Sequence, residues 1–371
     1  MNAQVPPAQG ANAGSQVLEQ LEGLTVEGGW LVGKFLPKAV DQTGGFFSRG
    51  YECTSHDGKV AFLKAIDLYS ALNEPDVIAA LNKLTDGVRC EQELLLLCQR
   101  MDRVVSALAF GTIREFQGQR LQIPIPFIVF EKADGNIRSV VRASKKPTHE
   151  WCLRTLHHVT TGMMQLHRER IAHQDLKLSN VLKFDKDQVA KIADLGRSVR
   201  QGRPVFYDQY SWPGANAYAP PEVAYGFAQT EFGMQRLASD LYLLGSLACA
   251  LFTGVPLNPI LYTQLPKDFW PPLFGGQYTG TFEHVSAHLQ DAFEKAIETI
   301  SGEFSADTPY REDVMLVMKQ WCAPDPRDRG HPRTRAINAN GGNIFDLERY
   351  VSMLPNLIMR AAAFERMKQT K

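Results

Sequence analysis

Several things are missing from this chain of 371 residues, and each absence removes a class of explanation. No apolar run is long enough to span a bilayer; the longest, Leu241 to Phe252, reads as a buried helix. There is no charge excess, with 40 Lys+Arg against 40 Asp+Glu, so no global field draws the chain to nucleic acid or to an anionic membrane. Only six cysteines occur, scattered and without a C-x-x-C pair. That argues against a disulfide framework or a zinc site and for a reducing, cytoplasmic setting. No internal repeat is present, and low complexity is confined to the start. Met1 to Gln16 is Ala, Gly, Gln, Asn and Pro, without a basic patch or apolar core, and reads as a disordered tail rather than a signal peptide.

What is present is ordinary globular material, 44% hydrophobic and 22% charged, enough for two lobes. From Trp30 to about Phe130 the text favours short strands. Gly44-Gly45 and Asp57-Gly58 mark turns, and Val60–Ile66 and Phe127–Phe130 mark strands. One helical stretch interrupts them, Val88 to Met101, with Val88, Leu94, Leu95, Cys98 and Met101 on one face. After Asp134-Gly135 the character changes. Thr148 can cap a long amphipathic helix bearing Leu153, Leu156, Val159, Met163 and Leu166 at helical spacing. Helices dominate from there on, broken by Pro- and Gly-rich loops at 202–221 and 254–281. A strand-rich first part and a helix-rich second part predict an α+β protein in two lobes, linked near 131–136.

The chemistry concentrates in His173-Gln174-Asp175-Leu176-Lys177-Leu178-Ser179-Asn180, followed by Asp194-Leu195-Gly196. An acid, a lysine and an asparagine at this spacing, then a second acid before a glycine, suit phosphoryl transfer from ATP. Asp175 can orient a hydroxyl and accept its proton. Lys177 can neutralise charge on the moving phosphoryl group, and Asn180 and Asp194 supply hard oxygens of the kind Mg2+ prefers. The stretch resembles the catalytic loop and DFG motif of protein kinases, with leucine in place of the usual phenylalanine.

That resemblance implies a role for residues spread over about 30–335. Lys64, inside Val60–Ile66, resembles the lysine that holds the α- and β-phosphates of ATP. Its carboxylate partner is either Glu91 or Glu93, and Glu91 is favoured because Leu94, Leu95 and Cys98 share its face. The family's glycine-rich loop falls on Thr43, Gly45 and Ser48, so Gly44 and Gly45 would bring backbone N–H groups to the phosphates. Gly50 stands where the family usually has valine, and Phe62 where it has alanine. Phe130 takes the gatekeeper place, and Glu131 and Ala133 would offer backbone groups to the adenine edge. His173 is expected to pack beneath Leu195 in an apolar column that includes Leu95. Glu222, ending the segment Gly214–Glu222, would pair with Arg329 of Asp325–Arg329, and Asp240 would brace the catalytic-loop backbone. His157-His158 reads as packing rather than metal binding.

The implied organisation is a tail at 1–16, a kinase domain at 17–335 (N-lobe about 30–130, hinge 131–136, C-lobe 137–335) and a helical extension at 336–371. Leu347, Val351, Leu354 and Ile358 give that extension an apolar face, either packed back on the C-lobe or offered as a partner or dimer surface. The implied activity is transfer of phosphate from Mg-ATP to a serine or threonine of a protein, without nucleic acid or membrane. Two other readings compete. A small-molecule kinase of the aminoglycoside or choline type generally lacks the Pro-Pro-Glu, Ser-Asp-x-Tyr-x-x-Gly and Asp-Pro-x-x-Arg motifs present here. A pseudokinase serving as a binding module would have no chemical reason to keep Lys64, Asp175, Lys177, Asn180 and Asp194 together. Two departures bear on regulation. Gln174 replaces the arginine that in many kinases meets a segment phosphate, and Ala215 replaces a threonine that bonds the catalytic acid. Activity is therefore expected not to require phosphorylation at Ser198, Tyr207, Tyr210 or Ser211, unless Arg197, Arg200 or Arg203 substitutes, with Phe206, Tyr207 and Trp212 holding the segment by packing.

Overall fold

The computed structural model describes residues 16–37, 48–143, 146–204 and 212–369. Gly44, Gly45, Phe206, Tyr207, Tyr210, Ser211 and all of the expected tail but Gln16 lie outside them. The chain divides into two compact units, residues 1–101 with 105–133, and residues 102–104 with 134–371.

The first unit is built on an antiparallel sheet of β1 (Thr25–Val26), β2 (Trp30–Leu36), β3 (Ser48–Thr54), β4 (Val60–Ile66), β5 (Ala107–Phe116) and β6 (Gln119–Glu131). Their order is β1-β2-β3-β4-β6-β5. Side chains alternate across a strand, so Ala61, Leu63 and Ala65 of β4 enter the core while Phe62 and Lys64 take the other face. Tyr51, fully buried, donates its hydroxyl to the Leu18 carbonyl and so ties the chain's entry to β3. Helix α1 (Val77–Leu97) crosses this unit and begins well before the expected Val88. Asp76 caps it, its side chain accepting the Ala79 N–H at 2.9 Å. The early turns escaped the periodicity argument because their apolar residues are only half-buried or exposed, Ile78 at 74%. Only Glu91, Leu94 and Leu95 of α1 are buried.

The second unit is mainly helical, which with the first gives the expected α+β class. It opens with β7 (Gly135–Asn136), α2 (Ile137–Val141) and α3 (His149–Arg168), the last capped by Thr148 as its sequence predicts. Short strands β8 (Ile171–Ala172), β9 (Val181–Phe184), β10 (Val189–Ile192) and β11 (Val199–Arg200) frame the catalytic-loop sequence: β9 lies between β10 and β7, and β8 pairs with β11. Helix α4 (Pro221–Ala224) precedes α5 (Ala238–Thr253), in which every residue from Ala238 to Phe252 is buried. The remainder is α6 (Leu257–Gln264), α7 (Phe282–Ser301), α8 (Arg311–Cys322), α9 (Pro332–Asn338) and α10 (Glu348–Gln369). No single described helix is long and apolar enough to cross a membrane.

Helix α10 packs within this unit, chiefly along α3, which is the packing back that was one of the two expected outcomes. Its buried stripe is Tyr350, Leu354, Leu357, Ala361 and Phe364, not the expected Val351 and Ile358, which are half-buried. Polar contacts fix the register. Tyr350 donates its hydroxyl to Gln320 Oε1 (2.9 Å), Arg360 pairs with Asp313 (2.7 Å), and Glu365 accepts the orphan N–H of Glu150 in the first turn of α3 (3.2 Å). Pro355 inside α10 has no N–H for the Val351 carbonyl, which lies beside the His157 ring. Its neighbour His158 accepts the Ala190 N–H at 3.2 Å. Burial, then the nearby Arg103, pulls the His158 pKa down to about 4, so this ring stays neutral at physiological pH. Both histidines are packing residues, as expected.

One buried ion pair ties α4 to the loop after α8. Arg329 is fully buried and reaches Glu222 through Nη1–Oε1 (2.7 Å) and Nη2–Oε2 (2.6 Å), and it also donates to the Ala238, Ala323 and Pro324 carbonyls. Removing one partner strands a charge. Glu222→Gln or Arg329→Met should lose about 3–5 kcal/mol in urea unfolding, and an unchanged midpoint would contradict this account. A chain ending at Asn340 should aggregate or melt much lower, since the α3 and α8 surfaces beneath α10 become exposed. A truncated chain that is soluble and unchanged in melting temperature would contradict the docking.

Candidate active site

Within the first unit, Lys64 and Glu91 come together. Burying a lysine stem on a strand requires a counter-charge, and Lys64 Nζ meets both carboxylate oxygens of Glu91, at 2.7 and 3.0 Å. Of the two expected partners, α1 brings Glu91 to it, at 6% exposure. Lys64 lies opposite Gly50 on β3 and Ile128 on β6. The two departures from the kinase pattern prove to be one packing solution. A Cβ on Gly50 would stand 2.8 Å from Cε2 of Phe62, so the phenyl ring uses the room that a valine would take. In β6, the Glu131 N–H donates to the Ser106 carbonyl (3.1 Å) and its carboxylate accepts the Ser106 N–H (2.8 Å). A ligand at Glu131 would therefore have to use its carbonyl. Ala133 follows just beyond the strand, at the end of this unit.

Within the second unit, Asp175, Lys177 and Asn180 form one cluster, all nine-tenths buried or more. The turn Leu178–Asn180 folds the chain back on itself, so Asn180 Nδ2 donates to both the Asp175 carbonyl (2.9 Å) and Asp175 Oδ2 (3.0 Å). Lys177 Nζ reaches the same Oδ2 at 2.8 Å. The other oxygen, Oδ1, accepts the backbone N–H of Ala215 at 3.1 Å. The missing threonine hydroxyl is thus replaced by a main-chain donor, which alanine supplies as well as any residue. Trp212 donates its indole N–H to the Ala215 carbonyl (3.3 Å) and holds that turn.

His173 is more than a packing residue. Its Nε2 faces the Ala193 carbonyl (3.1 Å) while Nδ1 accepts the Asp175 N–H (3.2 Å), which fixes a neutral ring protonated on Nε2. Ala193 in turn donates to the Asn180 carbonyl at 2.8 Å, so the loop and the Asp194 strand end are stitched together. Asp194 is exposed and left-handed, φ 64, a conformation that costs an L-residue energy and tends to persist at functional positions. Leu195 is buried beside it, as is Ser198, whose hydroxyl donates to the His173 carbonyl (3.3 Å).

The loop is anchored from below by Asp240, fully buried at the start of α5. Its oxygens accept the N–H groups of His173 (2.7 Å) and Gln174 (2.9 Å) and pair with His167 Nε2 (3.0 Å). Bracing by Asp240 was implied by the family resemblance; the contribution of His167 was not, and its buried Nδ1 has no hydrogen-bond partner.

The site's fit to Mg2+ can be judged from its donors. Asn180 uses its nitrogen on Asp175, which leaves its oxygen facing only a long contact from Ser179 (3.3 Å), and Asp194 supplies a carboxylate. Among the described residues no group of three or more His, Cys, Asp or Glu could hold a metal by itself. Two oxygens completed by phosphate and water match how Mg2+ is usually held.

Comparison with known proteins agrees with this geometry. The protein kinase domain pattern matches residues 44–329. The serine/threonine-protein kinase mos of Patiria pectinifera is 30% identical over 252 residues, covering 64% of this chain and 65% of that protein. Mitogen-activated protein kinase 12 of Oryza sativa subsp. japonica is 25% identical over 254 residues, 66% of this chain and 42% of its own length. A probable serine/threonine-protein kinase of Dictyostelium discoideum is 27% identical over 178 residues, 48% of this chain and 34% of its own. The chain thus spans between about a third and two thirds of these relatives. With the family pattern matched over most of its length and the loop geometry in place, the chain belongs to the protein kinase family.

Proposed function

We propose that this protein is an active serine/threonine kinase that transfers phosphate from Mg-ATP to a hydroxyl of a protein substrate. The observation that supports it best is the state of Asp175. Its carboxylate is held by an ammonium, an amide and a main-chain N–H, the set a loop needs if that acid is to meet a substrate hydroxyl in one orientation. Asp175 would orient the hydroxyl and accept its proton, and Lys177 would neutralise charge on the transferring phosphoryl oxygens. Lys64, braced by Glu91, would hold the α- and β-phosphates, with Gly44 and Gly45 above them and the backbone of Glu131 and Ala133 at the adenine edge. Asn180 and Asp194 would hold Mg2+, which when bound shields phosphate charge. Lys177 rather than an arginine-type pattern in the loop favours serine or threonine over tyrosine.

A domain at 17–335 with a structural extension at 336–371, placed in the cytoplasm, belongs to the same proposal. Leu18 and Leu21 are core residues, and all six cysteines are free thiols, five of them buried. The binding-module reading rested on the incomplete glycine-rich loop, Gly50 and Phe62; the last two have a local physical explanation in each other, and the loop's Thr43 to Gly45 lie outside the described residues.

Asp175→Ala should lower kcat by at least about 10²-fold in a labelled-phosphate transfer assay. Asp194→Asn should do the same and be partly restored by raised Mg2+. If both variants turn over as fast as wild type, the assignment is wrong. Lys64→Met leaves Glu91 buried without its cation, so it should weaken Mg-ATP binding and also lower the melting temperature of the nucleotide-free protein. Unchanged values on both counts would remove Lys64 from the site.

A further inference from the structure

Gln174 is a fully buried polar residue of the catalytic loop whose side chain the kinase reading leaves without a task. It is left-handed, φ 65, so the fold maintains it at a cost. Its side-chain amide is nearly saturated. Nε2 donates to the Arg236 carbonyl (3.0 Å) and to Asp240 Oδ1 (3.0 Å), while Oε1 accepts from Arg236 Nη1 (3.2 Å). Arg236 is itself only 4% exposed and lies in a π-helical turn, Gly233–Leu237, that leads into α5.

The charges decide which residue fits here. Position 174 must give hydrogen bonds to a buried carboxylate and take one from a buried guanidinium at the same time. An arginine would set two cations side by side and has no acceptor. A glutamate would suit Arg236 but press a second anion against Asp240 Oδ1. Hydrophobic residues would remove one hydrogen bond from each of these buried charges. A neutral carboxamide of glutamine length meets both demands, and asparagine is a methylene too short. The main chain of Gln174 is used as well. A Cβ on Gly214 would fall 2.4 Å from the Gln174 carbonyl, so the segment's backbone lies directly on it, and the next N–H is the one that binds Asp175.

We propose that Gln174 and Arg236 form a positioning pair. Together they hold the Asp175 loop and the Gly214-Ala215 turn in working register from inside the unit, with no phosphate on segment 197–213. The inference rests on the kinase reading, since positioning has meaning only if Asp175 works. Neither residue is catalytic; both act through the backbone of Asp175.

The test uses full-length, phosphatase-treated protein, with two readouts: kcat and KM in the transfer assay, and hydrogen exchange of the 173–176 amides. Phosphatase treatment should leave wild-type kcat unchanged. Gln174→Met should lower kcat about tenfold or more with KM for ATP within about twofold, and the 173–176 amides should exchange faster. Gln174→Arg should do worse, and adding Arg236→Gln should recover most of that loss, because the swap restores one cation and one amide. Should Gln174→Met fail to fold, the swapped pair still decides. Wild-type kcat and exchange rates in Gln174→Met, or a double variant no better than Gln174→Arg, would overturn the pair, as would a tenfold loss on phosphatase treatment. If wild type transfers no phosphate, the kinase reading fails; unchanged exchange in Gln174→Met would then overturn the pair separately, and faster exchange would uphold it as a structural brace.

Discussion

A buried carboxylate cannot be left without donors, and Asp240 organises the second unit around that demand. Sitting in a helix with no exposed residue for four turns, it must draw its hydrogen bonds from chain that comes to it. His167 comes from the end of α3, and the loop supplies two successive N–H groups and the Gln174 amide. Those bonds hold Gln174 in a left-handed conformation that its own sequence would not choose. Asp175 then emerges from a fixed backbone, and its carboxylate meets Lys177, Asn180 and the Ala215 N–H. The backbone that presents Asp175 is therefore fixed by a fully buried acid.

The departures from the family's pattern share a theme. Where a side-chain contact is absent, a neighbour or the backbone supplies it. Gly50 and Phe62 exchange volume across paired strands, so β3 and β4 keep their density with the large residue moved over by one strand. Ala215 loses a hydroxyl but keeps an N–H in reach of Asp175. Gln174 gives up a cation on the loop, and Arg236 brings one to it from the turn before α5. Each substitution taken alone looks like decay; taken with its partner it preserves the local physics.

What could be read in the sequence was whatever depends on short spacing. The catalytic loop, the Thr148 cap and the buried α5 run carry their signals in fixed intervals or in residue types with few other uses, whereas the Glu222–Arg329 pair, 107 residues apart, was expected only from the family resemblance. Glu91 was separable from Glu93 because three apolar neighbours shared its face. Less legible was anything set by tertiary context. The early turns of α1 lack a clean apolar stripe, so only the cap at Asp76 announces them. In α10 the buried stripe runs through Tyr350, Leu357 and Phe364, because packing against Trp321 and Tyr310 selects the aromatic residues over Val351 and Ile358. Nothing in the local text around Arg236 marks it as a buried cation. Its role comes from a π turn and from a partner 62 residues away.

The central claim is that a pre-set Asp175 makes this chain a phosphotransferase acting on protein hydroxyls. The most direct measurement is phosphoamino-acid analysis of a mixed protein substrate incubated with the full-length protein, Mg2+ and γ-labelled ATP. The account predicts label on phosphoserine and phosphothreonine and none on phosphotyrosine. Saturable ATP binding with no label transferred to any protein would contradict it.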